Sequence, residues 1–190
     1  MSYFLKIREH FQAIKFKKRA KVIDNGGLKV RLQQYIKTGD KVSLGENCRL
    51  LCWDQYHSGN TIQSLNPNLV IGNNFRATRN LTIQCAGNII IGDNVLVASD
   101  VFIINYNHGL DPITDNYLNN NLEVNEIKIE DGVWIGNSVI ILPGVKIGKK
   151  SIIGAGSVVC KSIPDYCVAV GNPARIIKRY DHSSNIWRKE

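Results

Sequence analysis

The stretch that decides the fold is IEDGVWIGNSVIILPGVKIGKKSIIGAGSVV, residues 129–159. Stepping by six from Ile129 lands on Ile135, Ile141, Ile147, Ile153 and Val159, an aliphatic at every step. Gly136, Gly148 and Gly154 follow directly on three of them. The position four after each aliphatic holds Val133, Val139, Val145, Ser151, Ser157 and Ile163. Each such unit supplies one short strand and one corner, and three units close one triangular coil of a parallel β-helix. The aliphatic points inward and stacks on its counterpart about 18 residues away, while Gly, Asn or Asp serves the corner.

The same register can be followed upstream. A run of Ile71, Ala77 and Ile83 changes phase by two residues and resumes at Ile91, Val97 and Ile103, and Leu44, Gly45 and Leu50 carry weaker traces of it. If Ile91, Val97 and Ile103 mark the three faces of one coil, then Ile129, Ile135 and Ile141 resume those faces in the next. The segment between, 107–128, lacks the repeat and contains Asn116, Asn119, Asn120, Asn121 and Asn125. At about 20 residues it exceeds ordinary structureless connections, so it leaves the prism as a functional or disordered excursion. His108, in NYNHGLDP, stands at its root, at a corner where a side chain can reach solvent.

Composition agrees with this reading. The 190 residues include 25 Ile, 15 Val, 20 Asn and 16 Gly. The first pair favours strands and the second tolerates positive φ in turns, which argues against a helical bundle. With 44% hydrophobic and 21% charged residues, disorder is excluded. Apolar runs such as 89–91 and 139–142 are far below the roughly 18 residues of a membrane span, and the charged start does not resemble a signal peptide. A cytoplasmic location is expected. Cys48, Cys52, Cys85, Cys160 and Cys167 form an odd set without CxxC spacing and read as reduced small hydrophobes.

Of the net charge of +8, residues 1–21 hold Lys6, Arg8, Lys15, Lys17, Lys18, Arg19 and Lys21 against Glu9 alone. Phe4, Ile7, Phe11 and Ile14 recur there at helical spacing, giving a basic amphipathic helix that either lies on an anionic membrane surface or caps the main domain. Asp24 to Gly27 mark the turn out of it. No aromatic-interleaved basic motif accompanies the charge, so nucleic acid is not an expected partner.

The segments IGDNVLVASDVFI, NHG at the excursion, VWIGNSVIILPGVKIGKKSIIGAGSVV and VGNPARIIK together resemble the hexapeptide-repeat O-acetyltransferases, in particular the galactoside, maltose and nodulation-factor branch. The resemblance implies a mainly β chain: a left-handed parallel β-helix at 25–165 with an extruded loop at about 107–128. A basic N-terminal helical segment, 1–24, precedes it, and a C-terminal strand and helical tail, 166–190, follow. It further implies a homotrimer with active sites in the clefts between subunits, acetyl-CoA as co-substrate and no metal.

By the same resemblance His108 is the general base that takes the proton from an acceptor hydroxyl. Gly136 and Asn137 lie at the oxyanion position, with Asn137 in place of the more usual Ser, and Trp134 lines the cleft. Thr78, Asn80 and Asp111 are acceptor-side candidates, Thr78 standing where sugar-acetylating relatives carry Asn. Asp111 and Asp100 are candidates for orienting the imidazole. Ala155 and Cys160 match backbone-contacting positions along the pantetheine arm, and Lys161, Arg175 and Lys178 match basic positions near the phosphates. Gly171, Asn172 and Pro173 form the turn that places Arg175.

The implied activity is acetyl transfer to a hydroxyl of a sugar, in a cell-surface polysaccharide or its precursor, near the inner face of the membrane. A streptogramin-type antibiotic acetyltransferase and a non-catalytic β-helical scaffold are the alternatives. A γ-type carbonic anhydrase would need three converging histidines, and His10, His57, His108 and His182 are isolated in sequence.

Overall fold

A computed structural model describes residues 3–190, with side chains from Ile7 onward; Phe4 of the expected apolar face and Lys6 of the basic set lie outside the described side chains. The chain visits three parallel sheets in strict rotation. The first face stacks Ile23–Asp24, Ser43–Glu46, Arg76–Arg79, Leu96–Val97, Trp134–Ile135, Ile152–Ile153 and Cys167–Val170. The second stacks Lys29–Arg31, Arg49–Cys52, Thr82–Cys85, Phe102–Ile104, Ile140–Ile141 and Val158–Val159. The third stacks Ile36–Thr38, Asn68–Ile71, Asn88–Ile91, Ile127–Ile129 and Lys146–Ile147. The result is a mainly β, three-faced prism.

The hexapeptide phase sets the stacking. Ile91 pairs with Ile129, Val97 with Ile135 and Ile103 with Ile141, one partner on each face. Ile129, Ile135 and Ile141 then pair with Ile147, Ile153 and Val159. All nine are at most 1% exposed. Each buried aliphatic contributes about 1.5–3 kcal/mol, and ladder hydrogen bonds to the neighbouring coils satisfy the short strands. Upstream, Ile71, Ala77 and Ile83 pair with Ile91, Val97 and Ile103, and the two extra residues of the phase change sit in the corner around Ala86. Asn47, Asn74, Asn80 and Asn94 turn corners at φ 53° to 57°, the left-handed region that Asn tolerates. Gly45 meets a different need: a Cβ there would overlap the Thr78 carbonyl.

Two hairpins leave the prism at the same corner, between the second and third faces, two coils apart. The one expected at 107–128 is an ordered antiparallel pair, Tyr106–His108 with Leu122–Val124, and Ile127 and Lys128 already belong to the third face. The other, Gln55–Ser58 with Thr61–Ser64, has no counterpart in the sequence reading.

One expectation fails. The C-terminal tail is not helical: Arg175–Asp181 and Ile186–Lys189 form antiparallel strands that extend the first face beyond Cys167–Val170. Ile176, Ile177 and Tyr180 favour strand, and the open edge of Cys167–Val170 offers partners that a helix could not use. The helix Tyr3–Ala20 does pack on the first coil, but it buries Glu9, Ala13 and Phe16 and leaves Ile7, Phe11 and Ile14 exposed. Polar ties select that face. Arg19 donates to the carbonyls of Gln33 and Ile36, the Gln12 carboxamide oxygen accepts from the Gln33 N–H, and Lys17 pairs with Asp24.

Candidate active site

The rotation of the chain places the expected site residues at different corners. Asn80, Gly136, Asn137 and Ala155 follow first-face strands at the corner between the first and second faces; Thr78, within Arg76–Arg79, and exposed Trp134 lie on the strands beside it. His108 leaves from the next corner on its hairpin. Cys160 and Lys161 are exposed at that same corner two coils on, beyond the last second-face strand. Arg175 pairs with Val170, whose side chain lies beside Gly154, so it belongs with Ala155; the turn at residues 171–174 sets it there. Lys178 lies further along that strand, opposite Val168. Within one chain, therefore, no described hydrogen bond or ring contact joins His108 to Asn137 or Trp134.

The first-to-second corner carries an opening that its side chains explain. At the third-to-first corner a side-chain oxygen caps the backbone N–H of the preceding coil three times over: Asn73 caps Asp40, Asp93 caps Asn73 and Asp131 caps Asp93, at 2.6–2.9 Å. Asn137 does the same for Ser99 at 2.9 Å. One coil further the position is Ala155, which has no acceptor. Among the described residues the N–H groups of Asn137 and Ala155 have no partner, and both residues are exposed. Gly156, at φ +70°, has open space where a Cβ would be. Uncapped donors beside small residues fit the carbonyl and amide oxygens of a slender acyl-pantetheine chain. Arg175 and Lys161 supply exposed cations of the kind that phosphates require.

At the other corner the two hairpins clasp each other. Gln63 exchanges two hydrogen bonds with the Leu122 backbone, donating at 3.0 Å and accepting at 2.7 Å, and Ser58 donates to the Asn119 carbonyl. The Tyr56 hydroxyl lies 2.7 Å from the Leu118 carbonyl oxygen and 3.2 Å from His108 Nδ1, with the two rings edge to face at 5.5 Å. Trp53, Tyr56, Tyr106, Leu122 and His108 line a pocket of about 160 Å³. Tyr106 donates to Gln84 at 2.7 Å, and burial pushes its pKa up to about 12, so it stays protonated. Arg31 stacks on Trp53 at 3.8 Å from the ring centroid; burial pushes its pKa below the ordinary value while Glu9 opposes the shift.

Neither aspartate reaches the imidazole. Asp111 accepts from the Ile113 N–H in a local turn, and Asp100 accepts from Asn80. Two asparagines of the excursion are scaffolding: Asn116 caps Tyr117–Asn119, and buried Asn120 donates to the carbonyls of Gly109 and Asp111. The sequence reading missed Tyr56 and Gln63. Gly59–Asn60 between QYHS and TIQS was a legible two-residue hairpin signal. Nothing local to Tyr56 shows that its hairpin meets a residue 52 positions away. Among the described residues no group of three His, Cys, Asp or Glu is placed to hold a metal ion.

Comparison with known proteins agrees with this architecture. Residues 126–161 match the family model for the bacterial transferase hexapeptide (six repeats). The chain is 32% identical over 170 residues to the proposed lipopolysaccharide biosynthesis O-acetyl transferase WbbJ of Escherichia coli (strain K12), a match covering 84% of this chain and 83% of WbbJ. It is 45% identical over 117 residues to the galactoside O-acetyltransferase of the same organism, covering 60% of this chain and 56% of that enzyme. Three relatives matched at 41–45% identity are spanned over 55–63% of their own length. A solved galactoside acetyltransferase in complex with coenzyme A superposes with a TM-score of 0.59 at 25% identity, covering 97% of this chain and 86% of that one. With the repeat, the extruded hairpin and the WbbJ match in hand, the chain belongs to the hexapeptide-repeat acetyltransferase family.

Proposed function

We propose that this chain is an acetyl-CoA-dependent O-acetyltransferase acting on a hydroxyl of a sugar, with His108 as general base. The observation that carries the reading is the exposed imidazole of His108, held by Tyr56 at the root of an ordered hairpin. A hydroxyl is a weak nucleophile at neutral pH, and a histidine, with an ordinary pKa of about 6.5, can take its proton as the new C–O bond forms. Acetyl-CoA supplies the activated acyl carbon, and its sulfur leaves as a thiol once the proton is passed on. The uncapped N–H groups of Asn137 and Ala155 face the charge that develops on the acyl oxygen. Arg175, Lys178 and Lys161 hold the phosphates, and Trp134 and Cys160 border the cofactor's path. Thr78, Asn80 and Asp111 lie on the acceptor side.

The separation of His108 from Asn137 and Ala155 on one chain supports a homotrimer in which one subunit's hairpin meets its neighbour's corner. The coils then wind left-handed, as in the resemblance that the sequence carries. WbbJ and the galactoside enzymes favour a cell-surface polysaccharide or its precursor as acceptor. No described helix is long and apolar enough to cross a membrane. The exposed Ile7, Phe11 and Ile14, flanked by Arg8, Lys15 and Lys18, suit the inner surface of an anionic membrane from the cytoplasm.

The test is an acetyl-transfer assay across free sugars, nucleotide sugars and oligosaccharides, with the product located by mass spectrometry. His108→Ala should abolish transfer while leaving acetyl-CoA binding intact, and Arg175→Ala should raise the KM for acetyl-CoA. Retained turnover in His108→Ala would remove it as the base.

A further inference from the structure

We infer that Tyr56, reaching across from the first hairpin, is the residue that positions His108 and fixes which of its nitrogens is free to act. This rests on the reading of His108 as base and adds the group that prepares it. The Tyr56 oxygen stands between two partners, the Leu118 carbonyl at 2.7 Å and His108 Nδ1 at 3.2 Å. A phenol has one hydrogen, and a carbonyl oxygen can only accept. The shorter contact therefore takes the phenolic hydrogen, since two oxygens at 2.7 Å without one would be left facing lone pair to lone pair. The phenol oxygen then has only lone pairs to offer Nδ1, so Nδ1 carries the imidazole hydrogen and donates it. Nε2 is left unprotonated, the state that a general base requires.

The arrangement also survives the reaction. When Nε2 takes the acceptor's proton, Nδ1 keeps its hydrogen and its bond to Tyr56, so the imidazole changes charge without turning. The aspartates that could have played this part are committed elsewhere, Asp111 to Ile113 and Asp100 to Asn80. The Leu118 carbonyl that receives the phenolic hydrogen belongs to the same excursion as His108. Tyr56 thus couples the orientation of the base to closure of the two hairpins, which the Gln63 and Leu122 bonds hold together.

The test reads the tautomer directly by ¹⁵N NMR of histidine-labelled protein at a pH where the imidazole is neutral. His108→Gln identifies the His108 signals among the four histidines. We expect a protonated Nδ1 and an unprotonated Nε2 in the native chain, and a shift towards a mixture of tautomers in Tyr56→Phe. Tyr106→Phe removes a neighbouring hydroxyl that bonds Gln84, and it should leave those signals in place. With the best acceptor of the panel, Tyr56→Phe should lower kcat by about 10- to 100-fold while the KM for acetyl-CoA stays within about twofold.

A protonated Nε2 in the native chain would overturn the inference, as would signals that ignore Tyr56→Phe in a variant whose melting shows it folded. If the tautomer follows Tyr56 but His108→Ala keeps its turnover, the base reading fails and the positioning stands. If turnover needs His108 but the tautomer ignores Tyr56, the reverse holds.

Discussion

Mixing two inactive chains should restore activity, and the expected amount follows from the order of the corners. His108→Ala removes the base from the hairpin at the second-to-third corner. Ala155→Phe fills the opening at the first-to-second corner; residue 155 is exposed, so the ring meets solvent and not the core. Each variant alone should fall to about 1% of native turnover or less, the scale of losing a general base or a positioned substrate. If every active site joins one chain's His108 corner to its neighbour's Ala155 corner, a site works only where an Ala155→Phe chain supplies the histidine and a His108→Ala chain supplies the corner. In a trimer that contains both variants, one of the three interfaces has this pairing, so about a third of native activity returns. The assay is acetyl-CoA consumption by differently tagged, co-expressed and doubly purified oligomers, with assembly followed by light scattering. Mixed oligomers no more active than their parents would refute the shared site.

Three further outcomes are expected. Ile135→Ala, at 0% exposure between Val97 and Ile153, should lower the free energy of unfolding by about 2–5 kcal/mol in urea titration, and a loss below about 1 kcal/mol would contradict the stacked core. Phe11→Asp should weaken co-sedimentation with vesicles rich in phosphatidylserine while leaving the melting temperature within a few degrees, because Phe11 is 60% exposed; unchanged binding would remove the helix as a membrane contact. Bonds from Ser183, Arg188 and Ser184 hold the Asp181 carboxylate below its ordinary 3.8. Its contribution to the C-terminal hairpin is therefore complete at neutral pH and is lost as pH falls below that value. Amide protection factors in Ile186–Lys189, corrected for the pH dependence of intrinsic exchange, should fall with acid in the native chain and fall less in Asp181→Asn.

Much of the fold was legible because a β-helix writes its geometry into the chain at a fixed period. The aliphatics from Ile91 to Val159 predict their partners on all three faces, and the lost phase after Ile103 correctly marks where the chain leaves the prism. Where the period is absent the reading weakens. Helical spacing in residues 4–14 shows that a helix has an apolar side, but it cannot say which side meets the first coil. Arg19, Gln12 and Lys17 settle that through bonds to backbone and side-chain groups far along the chain. The tail at 175–189 was misread because its structure depends on the open edge that Cys167–Val170 presents.

The candidate site divides along the same line. Sequence alone determined that coils stack and that His108 stands at the root of an excursion; each is a property of position within a repeat. Only the tertiary structure decided that a second hairpin leaves the same corner, that Tyr56 reaches His108, and that Asn137 and Ala155 lie at another corner with free N–H groups. These depend on which corner each residue occupies after the chain has wound around the prism. That winding brings together groups 52 residues apart and separates others that one repeat pattern had placed in a single list.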